Sequence, residues 1–416
     1  MSRNNPHEIF TSSDWAKVPT DILLIILKKL DMKSLFNSMC VNEHWQEVGK
    51  YYCKHFKAWT KVVAEATNNN ALAFRDKSNL GTKGIVLSAV RWYNVKNAAI
   101  RLNHQYDFED ARSICVYGDD LIVVTNVGWQ IYDIDTFRLK RTVYSLSAKC
   151  IETSSFIVEF TPYYVEELGY NTLTVTNKLH NRNCKCRKPH KLIFSDITFY
   201  RIHYRCCYIM DANNVLRRLK VEKCKWNFKV MTDFGDMYKC NRYFICGMHI
   251  HRREIYILLR NGDVCYIDLN GWKTGKVCKL DIPSHYLITN PYMFGTYSAI
   301  YAVFPEEQFQ IYFQEEEQIV VACPGLTRAL EHGHMLLLGY EDGKIEIFRT
   351  ANLRKRLPPE IQFNLQSYSE SLTTKIIALD IHEDKNCNRV FAATESSVYE
   401  FIICDNWRIN NNDAEP

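Results

Sequence analysis

The chain has 416 residues, of which 47% are hydrophobic and 24% charged, an ordinary globular composition with enough apolar material for a sizeable core. The length predicts two or three domains, or one repeat array with an appended module. The formal net charge of +5 is too small to indicate a nucleic-acid-binding protein by itself. Sixteen scattered cysteines, with no N-x-[ST] glycosylation acceptor, favour reduced thiols and a cytoplasmic or nuclear location.

The most hydrophobic stretch of the sequence lies near the N-terminus, where residues 22–27 are six consecutive aliphatic residues. The stretch is too short for a transmembrane helix, which needs about 20 apolar residues. A signal peptide is also a poor fit, because Asp21 precedes the run and Lys28 and Lys29 follow it without a small-x-small cleavage site. We therefore expect a soluble intracellular chain.

The first of the folded elements is predicted to be helical, over about residues 14–63. Pro19 suits the first position of a helix that runs to about Leu30, since its missing N–H costs nothing there. Asp31 and Asn42 are candidate caps for a second short helix and a third. So small a module has too little interior to bury a helix that is apolar on all sides. Either the rest of the chain or another protein must cover the remaining face.

From about residue 101 the pattern changes to short β-branched and aromatic runs separated by turn residues. The clearest units are DLIVVTNVGWQIYDID, REIYILLRNGDVCYIDLNG and GHMLLLGYEDGKIEIFRT, each an apolar strand, a tight turn and an alternating strand. Seven turns fall near residues 128, 169, 213, 262, 307, 342 and 396, with a mean spacing of about 45 residues. Paired strands at this period predict a β-propeller with seven blades.

The chain is therefore expected to be an α+β multidomain protein, with N-terminal helices followed by an all-β propeller. The predicted segments are a flexible tail at 1–13, the helical module at 14–63, a partly helical linker at 64–100, the propeller at 101–405 and a polar tail at 406–416.

The helical module resembles an F-box, a three-helix domain. The family pattern is matched, in order and spacing, by Val18-Pro19-x-Asp21-Ile22-Leu23, Ile26, Leu30, Leu35, Val41, Trp45 and Ala58-Trp59-Thr60. The sequence departs from the pattern at Val18 for Leu, Asp21 for Glu, and Asn42-Glu43 for Cys followed by Lys or Arg.

The F-box resemblance implies docking on a Skp-type adaptor and, through it, on the cullin and RING subunits of a ubiquitin ligase. The adaptor-binding residues that the resemblance implies are Val18, Pro19, Ile22, Leu23, Ile26, Leu30, Leu35, Val41 and Trp45. The alternative is a helical cap that packs on the chain's own propeller, in a protein-interaction scaffold without a ubiquitin-ligase role.

The propeller resembles the WD-repeat family in fragments, namely Tyr132-Asp133, Ile267-Asp268 and Gly333-His334. An F-box followed by a propeller resembles the substrate receptors of Skp-cullin-F-box ligases, which bind a substrate protein for ubiquitination and need no catalytic residue. The sequence has no Gly-rich phosphate loop, no G-x-S-x-G elbow and no His-Glu-x-x-His motif. We therefore expect a non-catalytic subunit without a cofactor.

Basic residues are concentrated between positions 178 and 230, where 14 Lys and Arg stand against three acidic residues. Arginine binds phosphate and carboxylate groups through two hydrogen bonds at once. The candidate substrate-binding residues are Arg201, Arg205, Arg217 and Arg218. The favoured interpretation of the stretch is a solvated basic face; an acidic or phosphorylated substrate is the second, and nucleic acid and membrane partners are not expected.

One loop in this stretch, HNRNCKCRKPH, holds zinc-compatible residue types at His180, Cys184, Cys186 and His190. Its Cys-x-Cys spacing is not the usual Cys-x2-Cys knuckle, and Lys and Arg residues crowd it. An exposed loop between blades is the better interpretation, and no metal site is predicted.

Overall fold

The structure is a computed structural model that describes part of the chain. The described residues are 18–30, 34–35, 38–39, 41–55, 84, 88–89, 91–92, 94–144, 149–152, 155–162, 171–178, 190–203, 206–213, 215–222, 225–233, 245–251, 254–259, 261–268, 274–279, 292–295, 300–304, 309–314, 317–332, 335–350, 358–365, 374–384 and 386–405.

Two α-helices lie within these residues, α1 at Thr20–Lys29 and α2 at Glu43–His55, together with a short 3-10 turn at Val95–Asn97. Three helices were predicted for the N-terminal module. The middle one, expected after Asp31, falls largely on positions outside the described residues, so two helices rather than three are observed there. Neither described helix is long and apolar enough to cross a membrane.

The rest of the described chain forms 28 strands in seven four-stranded antiparallel sheets. The first three sheets in chain order are β2–β5 (Ser113–Tyr117, Asp120–Thr125, Gly128–Asp133, Leu139–Tyr144), β6–β9 (Lys149–Glu152, Phe156–Thr161, Thr172–Asn177, Lys191–Phe194) and β10–β13 (Ile197–His203, Cys206–Asp211, Val215–Glu222, Lys225–Asp233). The next three are β14–β17 (Ile245–His251, Glu254–Leu259, Asp263–Asp268, Thr274–Lys279), β18–β21 (Tyr292–Gly295, Ile300–Phe304, Phe309–Gln314, Glu317–Ala322) and β22–β25 (Leu326–His332, Met335–Tyr340, Lys344–Arg349, Ile361–Asn364). The last sheet joins β26–β28 (Ala378–Glu383, Asn388–Ala393, Ser397–Asp405) to β1 (Ala98–Asp107).

The turns predicted near residues 128, 213, 262, 342 and 396 fall at the connection between the second and third strands of their sheets, whereas those near 169 and 307 lie outside the described residues. In these turns Gly262 lies at φ 85° and Gly343 at φ 77°, both in the left-handed region. A side chain at either position would strain the backbone. A Cβ at Gly343 would also lie 3.0 Å from the Cβ of Thr374.

The sheets pack face to face around a ring, with their first strands in mutual contact at several of the junctions. Apolar clusters fill the spaces between adjacent sheets; one joins β7 and β8 to β10–β12, and another joins β10–β13 to β14–β16. The order predicted from the sequence, N-terminal helices followed by an all-β propeller, is confirmed.

The ring is closed by strands from both ends of the propeller. The first strand, β1, pairs antiparallel with the last, β28, from Ala98 with Asp405 to Asp107 with Ser397. The N-terminal strand therefore closes the ring as the outermost strand of the last sheet.

The WD-like dipeptides Tyr132-Asp133 and Ile267-Asp268 both end the third strand of their sheets. The Asp133 carboxylate shows why an acidic residue is useful there. It accepts hydrogen bonds from the backbone N–H and the hydroxyl of Thr136, at 3.0 and 2.9 Å, and pairs with Lys140 at 2.9 Å. These contacts fix the turn that leads to the outermost strand. Gly333-His334 lies outside the described residues.

Candidate functional site

The N-terminal helices form a small core of their own. On α1, Leu23 and Leu27 are fully buried. They pack against the face of α2 that carries Trp45, Val48 and Tyr52, and Leu35 and Cys53 complete the cluster. The inner side of the aliphatic run is therefore buried within the helical module itself.

The beginning of α1 differs slightly from the prediction. The backbone N–H of Leu23 donates to the carbonyl of Pro19 at 3.0 Å, so Pro19 is the residue before the helix rather than its first residue. Asp21 lies in the first turn and Lys28 and Lys29 in the last. These charges interact favourably with the helix dipole at both ends of α1.

Asn42 caps α2, as predicted. Its side-chain oxygen accepts a hydrogen bond from the backbone N–H of Trp45 at 2.9 Å, and its carbonyl accepts one from Gln46 at 3.0 Å. Glu43 then occupies the first turn, where a negative charge is stabilised by the helix dipole. The departure from the family pattern at Asn42-Glu43 thus has a local structural reason.

The outer side of the module leaves large apolar side chains in water. Ile22 is 44% exposed, Ile25 59% and Val41 53%. Ile22 and Ile25 are three residues apart and therefore lie on one side of α1. We call Ile22, Ile25 and Val41 the exposed apolar set. The structure shows no cover for them among the described residues.

The residues predicted to bind an adaptor fall into three groups in the structure. Leu23, Leu35 and Trp45 are buried in the core of the module, Val18, Ile26 and Leu30 are half-buried, and Pro19, Ile22 and Val41 are exposed. Buried members can support a docking surface but cannot form it. Ile25 was missed as a candidate, although the 3.6-residue helical period places it beside Ile22.

The three described arginines that were predicted to bind substrate do not all lie on one face of the sheet. Arg217 and Arg218 are consecutive in β12, so their side chains point to opposite faces of the sheet. Arg217 forms an ion pair with the buried Asp211. Arg201 and Arg218 share one face, because both lie directly across from Tyr208. Arg205 lies outside the described residues.

Of the zinc-compatible loop, only His190 is among the described residues. His180, Cys184 and Cys186 lie outside the described residues, whereas His190 is exposed just before β9. Within the described part of the chain, no group of His, Cys, Asp and Glu residues is arranged to hold a metal ion.

A set of buried polar contacts that sequence reasoning missed joins the linker to the last sheet. The Ser88 hydroxyl donates to the side-chain oxygen of Asn388 at 2.9 Å, and Arg91 Nε donates to the same oxygen at 3.1 Å. Arg91 also donates to the backbone carbonyl of Asp384. Ser88, Arg91 and Asn388 are all buried.

An aromatic residue extends this contact. Trp92 Nε1 donates to a carboxylate oxygen of Glu383 at 2.8 Å, and that oxygen also lies 2.8 Å from His332 Nε2. All three side chains are buried, and Trp92 and the neighbouring Val95 belong to the apolar cluster of the last two sheets. We call the contacts of Ser88, Arg91 and Trp92 with the propeller the linker lock.

Comparison with known proteins agrees with this architecture. Residues 15–57 match the family model of the F-box domain. The chain therefore carries an F-box domain, and the described residues that follow form a β-propeller. No curated protein matches the sequence.

Three solved structures are similar to this chain at low sequence identity. The Cps50 (Swd1) β-propeller domain of Myceliophteria thermophila is 7% identical with a TM-score of 0.49, over 73% of this chain and 99% of that one. BamB from Moraxella catarrhalis is 11% identical with a TM-score of 0.43, over 73% and 98% of the two chains. The computationally designed Ika8 protein is 9% identical with a TM-score of 0.43, over 71% and 98%.

Proposed function

We propose that this protein is a substrate-recognition subunit of a Skp-cullin-F-box ubiquitin ligase. Its F-box docks on the Skp-type adaptor, through which it reaches the cullin and RING subunits, and its propeller binds the protein to be ubiquitinated. The observation that carries the proposal is the F-box match at residues 15–57, combined with the exposure of Ile22 and Ile25 on one side of α1.

The exposed apolar set supplies a physical reason for docking. Fully burying an isoleucine side chain stabilises by about 1.5–3 kcal/mol, so covering a half-exposed one contributes roughly 1 kcal/mol. Pro19, Ile22, Ile25 and Val41 are the proposed contact residues on this basis. Leu23, Leu35 and Trp45 act as positioning residues, because they hold α1 against α2 from inside.

The receptor role requires no catalytic side chain. A subunit that holds substrate and charged enzyme in one complex raises the effective concentration of substrate lysines near the activated ubiquitin. Such an arrangement benefits from a stiff connection, and the linker lock fixes the end of the linker to the propeller. Compartments that contain the ligase machinery, the cytoplasm and the nucleus, are the proposed locations.

A pair of substitutions in α1 tests the adaptor interface. In Ile22→Asp/Ile25→Asp, two charges would be placed where the adaptor must exclude water. We expect co-purification of the full-length protein with a recombinant Skp-type adaptor to fall at least about tenfold, because each buried unpaired charge costs more than 1.4 kcal/mol. Circular dichroism should show the wild-type melting temperature, since both positions are exposed.

The matched control is Val127→Asp. Val127 is an equally exposed aliphatic residue in a turn of the propeller, so this variant should keep full adaptor binding. If the α1 pair binds the adaptor as well as the wild type does, the proposed interface is wrong. Leu23→Asp is unsuitable as a test, because Leu23 lies in the core of the module. A loss of binding in that variant would report unfolding and not the loss of a contact.

A further inference from the structure

Apolar side chains of the outermost strands of two neighbouring sheets meet at the outer circumference of the propeller. Phe194 of β9 and Phe228 of β13 stack with ring centroids 6.0 Å apart and an interplanar angle of 14°. Trp226, Phe228 and Val230 alternate along β13 and therefore face the same side. We call Phe194, Trp226, Phe228 and Val230 the outer-rim patch.

The outer-rim patch is only partly covered by the protein itself. Phe228 is 47% exposed and Val230 51%. Trp226 and Phe194, in contrast, pack partly onto the apolar cluster between the two sheets. Phe194 and Trp226 are thus anchored on the core, while Phe228 and Val230 present large apolar side chains to solvent.

The strand that carries most of the outer-rim patch is also an open sheet edge. β13 runs for nine residues, Lys225–Asp233, and is the last strand in the order β10-β11-β12-β13. No described strand pairs with its outer side, so alternate backbone N–H and C=O groups point away from the sheet. The four residues 227–230 are all exposed. Proteins usually shorten, cover or twist such an edge, because it is a template for another strand.

Charge indicates the chemistry of that strand. The opposite face of the sheet from the outer-rim patch carries a basic row, in which Arg218 lies across from Lys229 and Lys220 lies across from Asn227. Arg201 shares this face through Tyr208. The surrounding stretch, residues 178–230, contains 14 basic and three acidic residues. An added strand would therefore meet apolar groups on one face and positive charge on the other.

We propose that β13 is a docking edge for an extended, acidic segment of a partner protein, which adds to the sheet as a further strand. Apolar side chains of the segment pack on the outer-rim patch, and its alternating acidic side chains face Arg218, Lys220 and Lys229. Main-chain hydrogen bonds supply affinity in such strand addition, and the alternating side chains supply selectivity. The inference rests on the proposed receptor role only in identifying this partner as a substrate.

The experiment uses the full-length protein and a fluorescein-labelled peptide of four Val-Glu repeats, followed by fluorescence anisotropy. A peptide of four Val-Lys repeats is the control for charge. We expect the Val-Glu peptide to bind, the Val-Lys peptide to bind at least about tenfold more weakly, and added salt to weaken the first complex. Hydrogen exchange should slow at backbone amides within residues 225–233 when the Val-Glu peptide is bound.

Two double variants localise the binding. Phe228→Glu/Val230→Glu should weaken Val-Glu peptide binding about tenfold or more, because hot-spot apolar residues are replaced by repelling charges. The matched control, Leu139→Glu/Tyr144→Glu, changes two exposed apolar residues on the outermost strand of another sheet and should leave binding unchanged.

Several results would overturn the inference. These are no binding of the Val-Glu peptide, equal binding of both peptides, equal loss in both double variants, or slowed exchange outside residues 225–233. If a single-stranded oligonucleotide binds more tightly and displaces the peptide, the ligand of this edge is nucleic acid and not a protein segment. The exchange measurement on the wild type decides the matter even if a variant fails to fold.

The outcome is separable from that of the adaptor test. The Phe228→Glu/Val230→Glu variant should still bind the Skp-type adaptor, and Ile22→Asp/Ile25→Asp should still bind the Val-Glu peptide. Failure of the docking edge would leave the F-box interface intact, and the reverse is equally true.

Discussion

At the scale of single residues, burial decides what each side chain does in this protein. Within α1 the adjacent positions Leu23 and Ile22 have opposite roles, the first in the core and the second in water. Cysteine shows the same dependence on surroundings. Burial raises the pKa of the thiol of Cys53 to about 11 and that of Cys323 to about 12, so both stay protonated in the folded chain. None of the described cysteines forms a disulfide.

The raised thiol pKa values predict a loss of stability in alkali. A pKa above its unfolded value of 9.0 means that the stabilisation is complete below pH 9 and is lost as pH rises through 11 to 12. Each such thiol lowers the free energy of unfolding by up to about 1.4 kcal/mol per pH unit in that window. Urea denaturation at pH 8, 9 and 10, under reducing conditions, measures how steeply the free energy of unfolding falls with pH. Cys323→Ala should make this slope shallower, and an unchanged slope in that variant would contradict the assignment.

At the scale of elements, short-range interactions explain where α2 begins and where the sheets turn. Asn42 caps the helix by itself, and Gly262 and Gly343 permit their turns through positive φ angles. The linker lock is different, because Ser88 and Asn388 meet although they are 300 positions apart. Nothing in the local pattern around residue 88 indicates that partner.

The linker lock predicts a specific sensitivity of the linker. Arg91→Met removes hydrogen bonds to Asn388 and to the carbonyl of Asp384 in a buried site. The substitution should lower the free energy of unfolding by about 1–3 kcal/mol, because buried acceptors lose their donor. Limited proteolysis followed by mass spectrometry should show faster cleavage within residues 84–97. Lys96→Met, an exposed change in the same segment, is the control and should be cut at the wild-type rate; equal rates for both variants would exclude the lock as a restraint.

At the scale of the whole molecule, stability depends on closing the ring. The first and last strands of the propeller meet only when all the sheets between them have formed, since β1 pairs with β28 at the end of the chain. The apolar cluster of the last two sheets then covers Trp92 and Val95. The linker and the propeller are joined by the same closing step.

Ring closure predicts opposite behaviour for two truncated proteins. A protein that begins at residue 84 keeps the linker lock and β1, and it should unfold in one cooperative transition by calorimetry. A protein that begins at residue 108 lacks both, so the outer edge of β28 is open and Trp92 is missing from its cluster. It should melt at a lower temperature or lose cooperativity. Identical transitions would show that β1 contributes nothing to closure.

The sequence by itself determined the local features of this protein. The spacing of the turns predicted paired strands, Asn42 predicted its helix cap, and the motif of the first helices predicted the F-box, because each signal depends on neighbours within a few positions. The tertiary structure alone decided which isoleucines stay exposed, that Arg201 and Arg218 share a face across from Tyr208, and which strand closes the ring. These outcomes depend on residues that are brought together from distant parts of the chain, and burial and strand register act only after that assembly.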